Sequence, residues 1–307
     1  MTATCADTSR HLHEPLAGTA PTARGWVCVE QGGAWGRKAE RQSGLDAAVA
    51  AHLLAATDAV PVRLQLIRRP AAGAVGTGAV ASGSRTVLLA HAGEQPWLEV
   101  VEVADVRDLL DLDPAVCASP TPPGIGRRDD GPRYLVCTHA KRDRCCATWG
   151  RPIADTLAAL HPEQTWEVSH IGGHRFAANL LVLPHGSVHG GLDVAGAMRV
   201  VDLAGAARLD LVSARGRSGL PRPAQAAELF LRSHVGEDDL DAVRVVEVED
   251  LGADRSRVHL DVHGHAHVVE VVFEPTGVER PVSCDSDEFE DPGVYRLLEV
   301  SRAGRAS

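Results

Sequence analysis

No run of 18 consecutive apolar residues occurs anywhere in this 307-residue chain, so the sequence offers no membrane-spanning helix. Met1 to Arg10 lacks a basic stretch followed by an apolar one, so no secretory signal is read there. Positive charge is short as well. Lys and Arg number 31 against 41 Asp and Glu, a net charge of −10, which argues against nucleic acid as a partner because phosphates need a basic face. No Gly-x-Gly-x-x-Gly opens a helix after a strand and no phosphate loop occurs, which leaves nucleotide and flavin binding without support. No Cys-x-x-Cys is present, which weakens a thiol-oxidoreductase reading. Seven cysteines, an odd number scattered over a long chain, do not make a disulfide framework, and a reducing cytoplasm is the expected location.

What is present is a chain with 44% hydrophobic residues, long enough for two domains or for one with a large insertion. Trp26–Val29 reads as a buried strand, and Gly44–Ala56 as a helix with Ser43 as its cap. Strands are predicted at Val62–Ile67, Thr86–Ala90 and Leu98–Val103, then a helix through Val106, Leu109 and Leu110. Ala71–Gly83, rich in glycine and alanine, is expected as an exposed loop. Residues 120–132 carry enough proline and glycine to read as a linker that denies both helix and ladder. The pattern then restarts. A strand is predicted at Tyr134–Cys137, a helix at Pro152–Leu160 with proline in its first turn, and strands at Thr165–Val168, Asn179–Leu183 and Ser187–Leu192. A helix follows from about Ala195.

Both halves therefore run strand, helix, strand, two strands, helix. Trp35-Gly-Arg-Lys-Ala39 echoes Trp149-Gly-Arg-Pro-Ile-Ala154, each a short way past a cysteine in the first strand of its half. The reading is a degenerate duplication in an α/β (α+β) protein, although echoes this short also arise by chance in a chain rich in alanine and glycine. The expected domains are 1–119, then the linker 120–132, then 133–214, and a small α+β region at 215–307 with a helix at Ala224–His234.

The chemistry concentrates in the second half. Cys137 and Cys146 flank a basic loop of eight residues, and His170-Ile-Gly-Gly-His174 follows. Two thiolates and two imidazoles make a four-ligand set, the number that zinc or an iron–sulfur cluster takes. The spacings are unlike the tight cysteine knuckles of zinc ribbons, and Gly172-Gly173 disfavours a helix between the histidines, so a tight loop is predicted. Spacing alone leaves both zinc and iron–sulfur open.

Val136-Cys-Thr-His-Ala-Lys-Arg-Asp-Arg-Cys-Cys-Ala147 and Trp166-Glu-Val-Ser-His-Ile-Gly-Gly-His-Arg-Phe-Ala-Ala-Asn-Leu-Leu-Val-Leu-Pro184 resemble the signature of the sucrase/ferredoxin-like family. The likeness is strong over residues 134–193 and diffuse elsewhere. It implies a thioredoxin-like ferredoxin domain; the duplication read above would make the first half a thioredoxin-like copy without ligands. It also implies a 2Fe-2S cluster held by Cys137 and Cys146 on one iron and His170 and His174 on the other, with Cys145 as the competitor of Cys146. The word sucrase finds no support, since no carboxylate pair stands in a sugar-hydrolase context.

The function so implied is a non-enzymatic electron carrier or redox sensor with a pH-dependent potential. The alternatives are a structural zinc protein using the same four residues, and a cluster-containing oxidoreductase of unknown substrate. Lys141, Arg142, Arg144, Arg151 and Arg175 lie close to the ligands in sequence and read either as a solvated basic loop or as a docking patch for an acidic redox partner. His139, His185 and His189 are expected at the surface or in turns. His259, His263, His265 and His267 read as a solvated hairpin, and Cys5, Cys28, Cys117 and Cys284 as unpaired thiols.

Overall fold

A computed structural model describes residues 4–70 and 84–302; the loop expected at 71–83 lies outside the described residues. After a short helix α1 (Cys5–His11), the first half contributes β1 (Gly25–Glu30), α2 (Ala39–Gln42), α3 (Ala47–Asp58), β2 (Val62–Arg68), β3 (Arg85–His91) and β4 (Trp97–Val103). The second contributes β5 (Arg127–Arg128), β6 (Arg133–Cys137), α4 (Arg144–Leu160), β7 (Thr165–Val168), β8 (Leu180–Leu183), β9 (Ser187–His189), α5 (Val194–Gly205) and β10 (Ala214–Arg217). These ten strands form one sheet, ordered β10-β9-β8-β6-β7-β2-β1-β3-β4-β5.

The two halves repeat one connectivity. β1 pairs parallel with β2 and antiparallel with β3, which pairs antiparallel with β4. β6 does the same with β7 and β8, and β8 pairs antiparallel with β9. The halves meet where β2 runs antiparallel to β7, Ile67 opposite Val168 and Arg68 opposite Glu167. Arg68 and Glu167 also pair through their side chains at 2.5 Å, and the same carboxylate accepts from the Thr138 hydroxyl at 2.8 Å.

Alternation along each strand divides the core. Trp26 and Cys28 join Leu88, Leu135, Cys137, Trp166 and Leu181 in one cluster that runs through both halves. Val27 and Val29 face the opposite way, onto Val49 and Leu53 of α3. Tyr134 and Val136 likewise face Ile153 and Leu157 of α4 and Val200 of α5. The mixed α/β class expected from the sequence is the class observed.

Local details depart from expectation. The helix expected at Pro152–Leu160 begins eight residues earlier, because the Asp143 carboxylate caps it by accepting from Cys145 N at 2.9 Å; Pro152 lies inside it. Asp46, not Ser43, caps α3, accepting from Ala48 N and Val49 N. The stretch after β4 is a 3-10 turn, Val106–Asp111, rather than an α-helix. Residues 120–132 are not free of ladder pairing: Arg127 and Arg128 pair with Val100 and Glu99 at the edge of the sheet, and the Glu99 carboxylate accepts from the backbone N–H groups of Gly124, Ile125 and Gly126.

The last third enters through the sheet itself, since β10 pairs with β9. After it come α6 (Arg222–Val235), β11 (Val243–Gly252), β12 (Arg255–Val262) and β13 (His265–Glu274). An excursion with β14 (Arg280–Pro281) and β15 (Phe289–Glu290) follows, and β16 (Val294–Arg302) ends the description. β11, β12, β13 and β16 form a second, antiparallel sheet. Its apolar face, with Val258, Leu260, Val269 and Val271, packs on Ala224, Ala227 and Leu231 of α6. His263 and Gly264 turn β12 into β13, with His263 and His265 exposed.

Candidate metal centre

Parallel β6 and β7 end side by side, Cys137 opposite Val168, so the chain segments that follow both emerge at one edge of the sheet. From β6 the chain turns through His139 and Asp143 into α4, which puts Cys146 in that helix's first turn. From β7 it turns through Ser169 to His170. Gly150 permits the close approach of α4, because a Cβ there would lie 2.3 Å from the Cys137 carbonyl oxygen. The echoed Trp-Gly of the sequence thus has a packing reason in the second half.

Cys137, Cys146 and His170 converge, their ligand atoms all within 4.8 Å of one another, with Cys146 Sγ 3.7 Å from His170 Nδ1. His174 stands next to them rather than within that triple, its ring 5.5 Å from the ring of His170. Its Nε2 donates to the Val282 carbonyl at 2.7 Å, while its Nδ1 is buried with no hydrogen-bond partner. That orphaned nitrogen fits a ligand role, since a buried acceptor without a partner is costly unless something else binds it.

The two thiols are shifted in opposite directions. Hydrogen bonds from Cys146 and His170 hold Cys137 well below the ordinary thiol value against the opposing effect of burial. Cys146, donating to Cys137 and buried beside it, is pushed well above. Burial lowers His174, partly offset by the Asp143 carboxylate 3.7 Å from its Nε2, so the ring stays neutral and able to ligate. A thiolate, a second thiol and two imidazoles are a donor set suited to zinc or to an iron–sulfur cluster.

The groups holding these residues come from all over the chain. His139, expected at the surface, is buried: its Nδ1 accepts from the His170 backbone N–H at 3.2 Å and its Nε2 donates to the Gly36 carbonyl at 2.7 Å. His189 is buried too, between Ser213 and Ser187. The glycine loop is fixed by Asn179, which donates to the Gly173 carbonyl at 2.9 Å, and by Arg215. That guanidinium, fully buried on β10, donates to Gly172 O at 3.1 Å, to Asn179 Oδ1 at 2.7 Å and to the Thr19 carbonyl. Gly173 has φ +72°, and a Cβ there would meet Arg215 at 2.3 Å, two reasons for glycine at this position. Arg215 and Gly36 could not be assigned from sequence, because nothing local marks a residue whose partner lies in another half.

Cys145 turns away from Cys146 and packs with Cys5 and Cys284. Of the basic residues near the ligands, Lys141, Arg142, Arg144 and Arg151 are exposed, whereas Arg175 pairs with Glu14 at 2.6 Å.

A mixed α/β fold with thiols and imidazoles gathered at the ends of two parallel strands defines a class of proteins able to hold a metal at that edge. A family model described as sucrase/ferredoxin-like matches residues 16–212, well over half of the chain, and the protein belongs to that family. No curated protein and no solved structure matches the chain. Among the described residues, no helix is long and apolar enough to cross a membrane.

Proposed function

We propose that this protein is a non-enzymatic electron carrier or redox sensor, holding a 2Fe-2S cluster through Cys137 and Cys146 on one iron and His170 and His174 on the other. The observation that carries the reading is the buried, partnerless Nδ1 of His174 beside the Cys137–Cys146–His170 group. When bound, such a cluster supplies one-electron transfer. Two thiolates and two neutral imidazoles place two fewer negative charges around the metal than four thiolates, which favours a higher potential. His174 keeps its Nε2 proton tied to Val282, whereas His170 is half-buried and its Nε2 has no hydrogen bond within the described residues. Each ligating imidazole keeps a second ring nitrogen that can carry a proton, so gain of an electron should be linked to protonation. Exposed Lys141, Arg142, Arg144 and Arg151 give an acidic redox partner a docking surface, and the free thiols suit a reducing cytoplasm.

One observation favours a second reading, a single structural zinc ion: Cys146 Sγ and His170 Nδ1 approach to 3.7 Å, a spacing that suits two ligands of one ion. Anaerobic purification with a visible spectrum, electron paramagnetic resonance of the reduced state and iron and zinc analysis decides between them. Red-brown colour and about two irons per chain are expected for the cluster; a colourless protein with zinc at these residues would sink it. The potential should fall with rising pH, and one that stays flat between about pH 6 and 10 rules out proton coupling.

A further inference from the structure

Behind Cys146 lies a second group of ligands that the proposed cluster does not use. Cys5 opens α1, Cys145 lies in the first turn of α4, and Cys284 sits in the excursion between β14 and β15. Segments from opposite ends of the chain thus bring three sulfurs together, Cys5 to Cys145 at 3.5 Å, Cys145 to Cys284 at 3.1 Å and Cys284 to Cys5 at 3.4 Å. Asp143 completes the group, its carboxylate oxygens 3.9 and 4.0 Å from Cys5 Sγ, and one ligand atom from each of the four residues lies within 4.8 Å of the others. All three cysteines are free thiols; Cys5, Cys145 and Asp143 are buried and Cys284 is partly so.

Thiols are weak hydrogen-bond donors and acceptors, so three of them in mutual contact gain little from one another. A disulfide between any two would leave the third buried against it. A metal ion satisfies all three at once. We propose that Cys5, Cys145, Cys284 and Asp143 form a second, structural metal site that takes zinc.

Three thiolates and one carboxylate are a closed, four-coordinate set with no place for a substrate, and soft sulfur ligands exclude magnesium and calcium. Asp143 is already aimed. One of its oxygens accepts from Cys145 N at 2.9 Å and the other from Cys284 N at 3.0 Å, which leaves lone pairs on both for a metal. With zinc bound, the four anionic ligands leave a net charge of −2. Positive groups stand ready for it: Arg144 pairs with Cys284, Arg10 lies over the Trp149 ring beside the cluster, and the 17-residue helix α4 directs its N-terminus there. The site would clamp α1 and the excursion onto the start of α4. Val282, whose carbonyl accepts from His174, lies two residues before Cys284.

Zinc and iron measured on the full-length protein, purified under reducing conditions, test this independently of what occupies the first centre. About one zinc per chain is expected beyond any metal at Cys137 and Cys146. Cys284→Ser and Cys5→Ser should each lose that zinc and keep the first centre's metal, and Cys137→Ser should do the reverse. Cys5→Ser changes a different segment of the chain, so a misfolded Cys284→Ser protein would not stop the test. Thiol alkylation read by mass spectrometry provides the second measurement: Cys5, Cys145 and Cys284 should be protected after zinc loading and should react after chelation. Zinc retained by both serine variants, equal alkylation with and without zinc, or a Cys145–Cys284 disulfide in the reduced-purified protein would each overturn the site.

Discussion

Adjacent cysteines with opposite fates show how finely a residue's role depends on direction. Cys146 points toward Cys137 and His170, while Cys145 points toward Cys5 and Cys284. Cys146→Ser should therefore remove the visible bands and the iron of the proposed cluster, whereas Cys145→Ser should keep both. Iron analysis with the spectrum checks this, and loss in Cys145→Ser with retention in Cys146→Ser would mean that the ligands had been exchanged. His139 makes a second case. It ligates nothing, yet its Nδ1 is the acceptor for the His170 backbone N–H. In His139→Leu that N–H keeps its burial and loses its partner, which should cost about 1–3 kcal/mol in urea unfolding. His170 should also hold its position less well, so metal should dissociate faster into a chelator. An unchanged dissociation rate would restrict His139 to a packing role.

At the scale of elements, α4 decides the geometry, and Gly150 decides where α4 lies. A Cβ at 2.3 Å from the Cys137 carbonyl must displace either the helix or the strand end, because its neighbour is backbone. Gly150→Ala should lower stability by about 1–3 kcal/mol, in the range of an overpacked core. It should also release metal from Cys137 and Cys146, and thermal unfolding with metal content measures both effects. A variant as stable as the parent with full metal would show that α4 can shift freely. The same helix shows what the sequence could and could not convey. The strands around it were legible, because Tyr134–Cys137 is a short apolar run and Thr165–Val168 alternates polar and apolar residues. Its start was not, because Pro152 has the signature of a helix beginning and hides the real cap at Asp143. The Cys-x8-Cys and His-x3-His motifs stand out as a candidate ligand set because they are local in sequence. The Cys5–Cys145–Cys284 group does not, since it exists only once α1 and the β14–β15 excursion have folded onto α4.

On the scale of the whole molecule, two halves share one connectivity: the second carries the proposed ligands and the first contributes contacts that hold their surroundings. Cys28 occupies the first-strand position that Cys137 has in the second half, but burial, with a further contribution from Cys117, pushes its thiol up. Instead the first half offers the Gly36 carbonyl to His139 and stacks Trp35 edge-on to the same ring. The sheet also encloses titratable groups, and this gives the fold a pH limit. His189, on β9, is wholly enclosed, and burial lowers it from 6.5 to about 4, against the attraction of Asp210 and with a small contribution from Arg199. The folded protein keeps the ring neutral, while the unfolded chain binds a proton as soon as the pH drops below about 6.5. Between those two values the unfolded state binds more protons, so stability is full above about pH 6.5 and declines as pH falls toward 4. The decline from this one residue should reach about 3 kcal/mol by pH 4. Urea unfolding of the wild type and of His189→Gln at several pH values from 7 to 4 measures it. The variant begins lower, having changed its contacts to Ser213 and Ser187, but its curve should be flatter; two parallel curves would show that His189 takes up its proton inside the fold as readily as outside it.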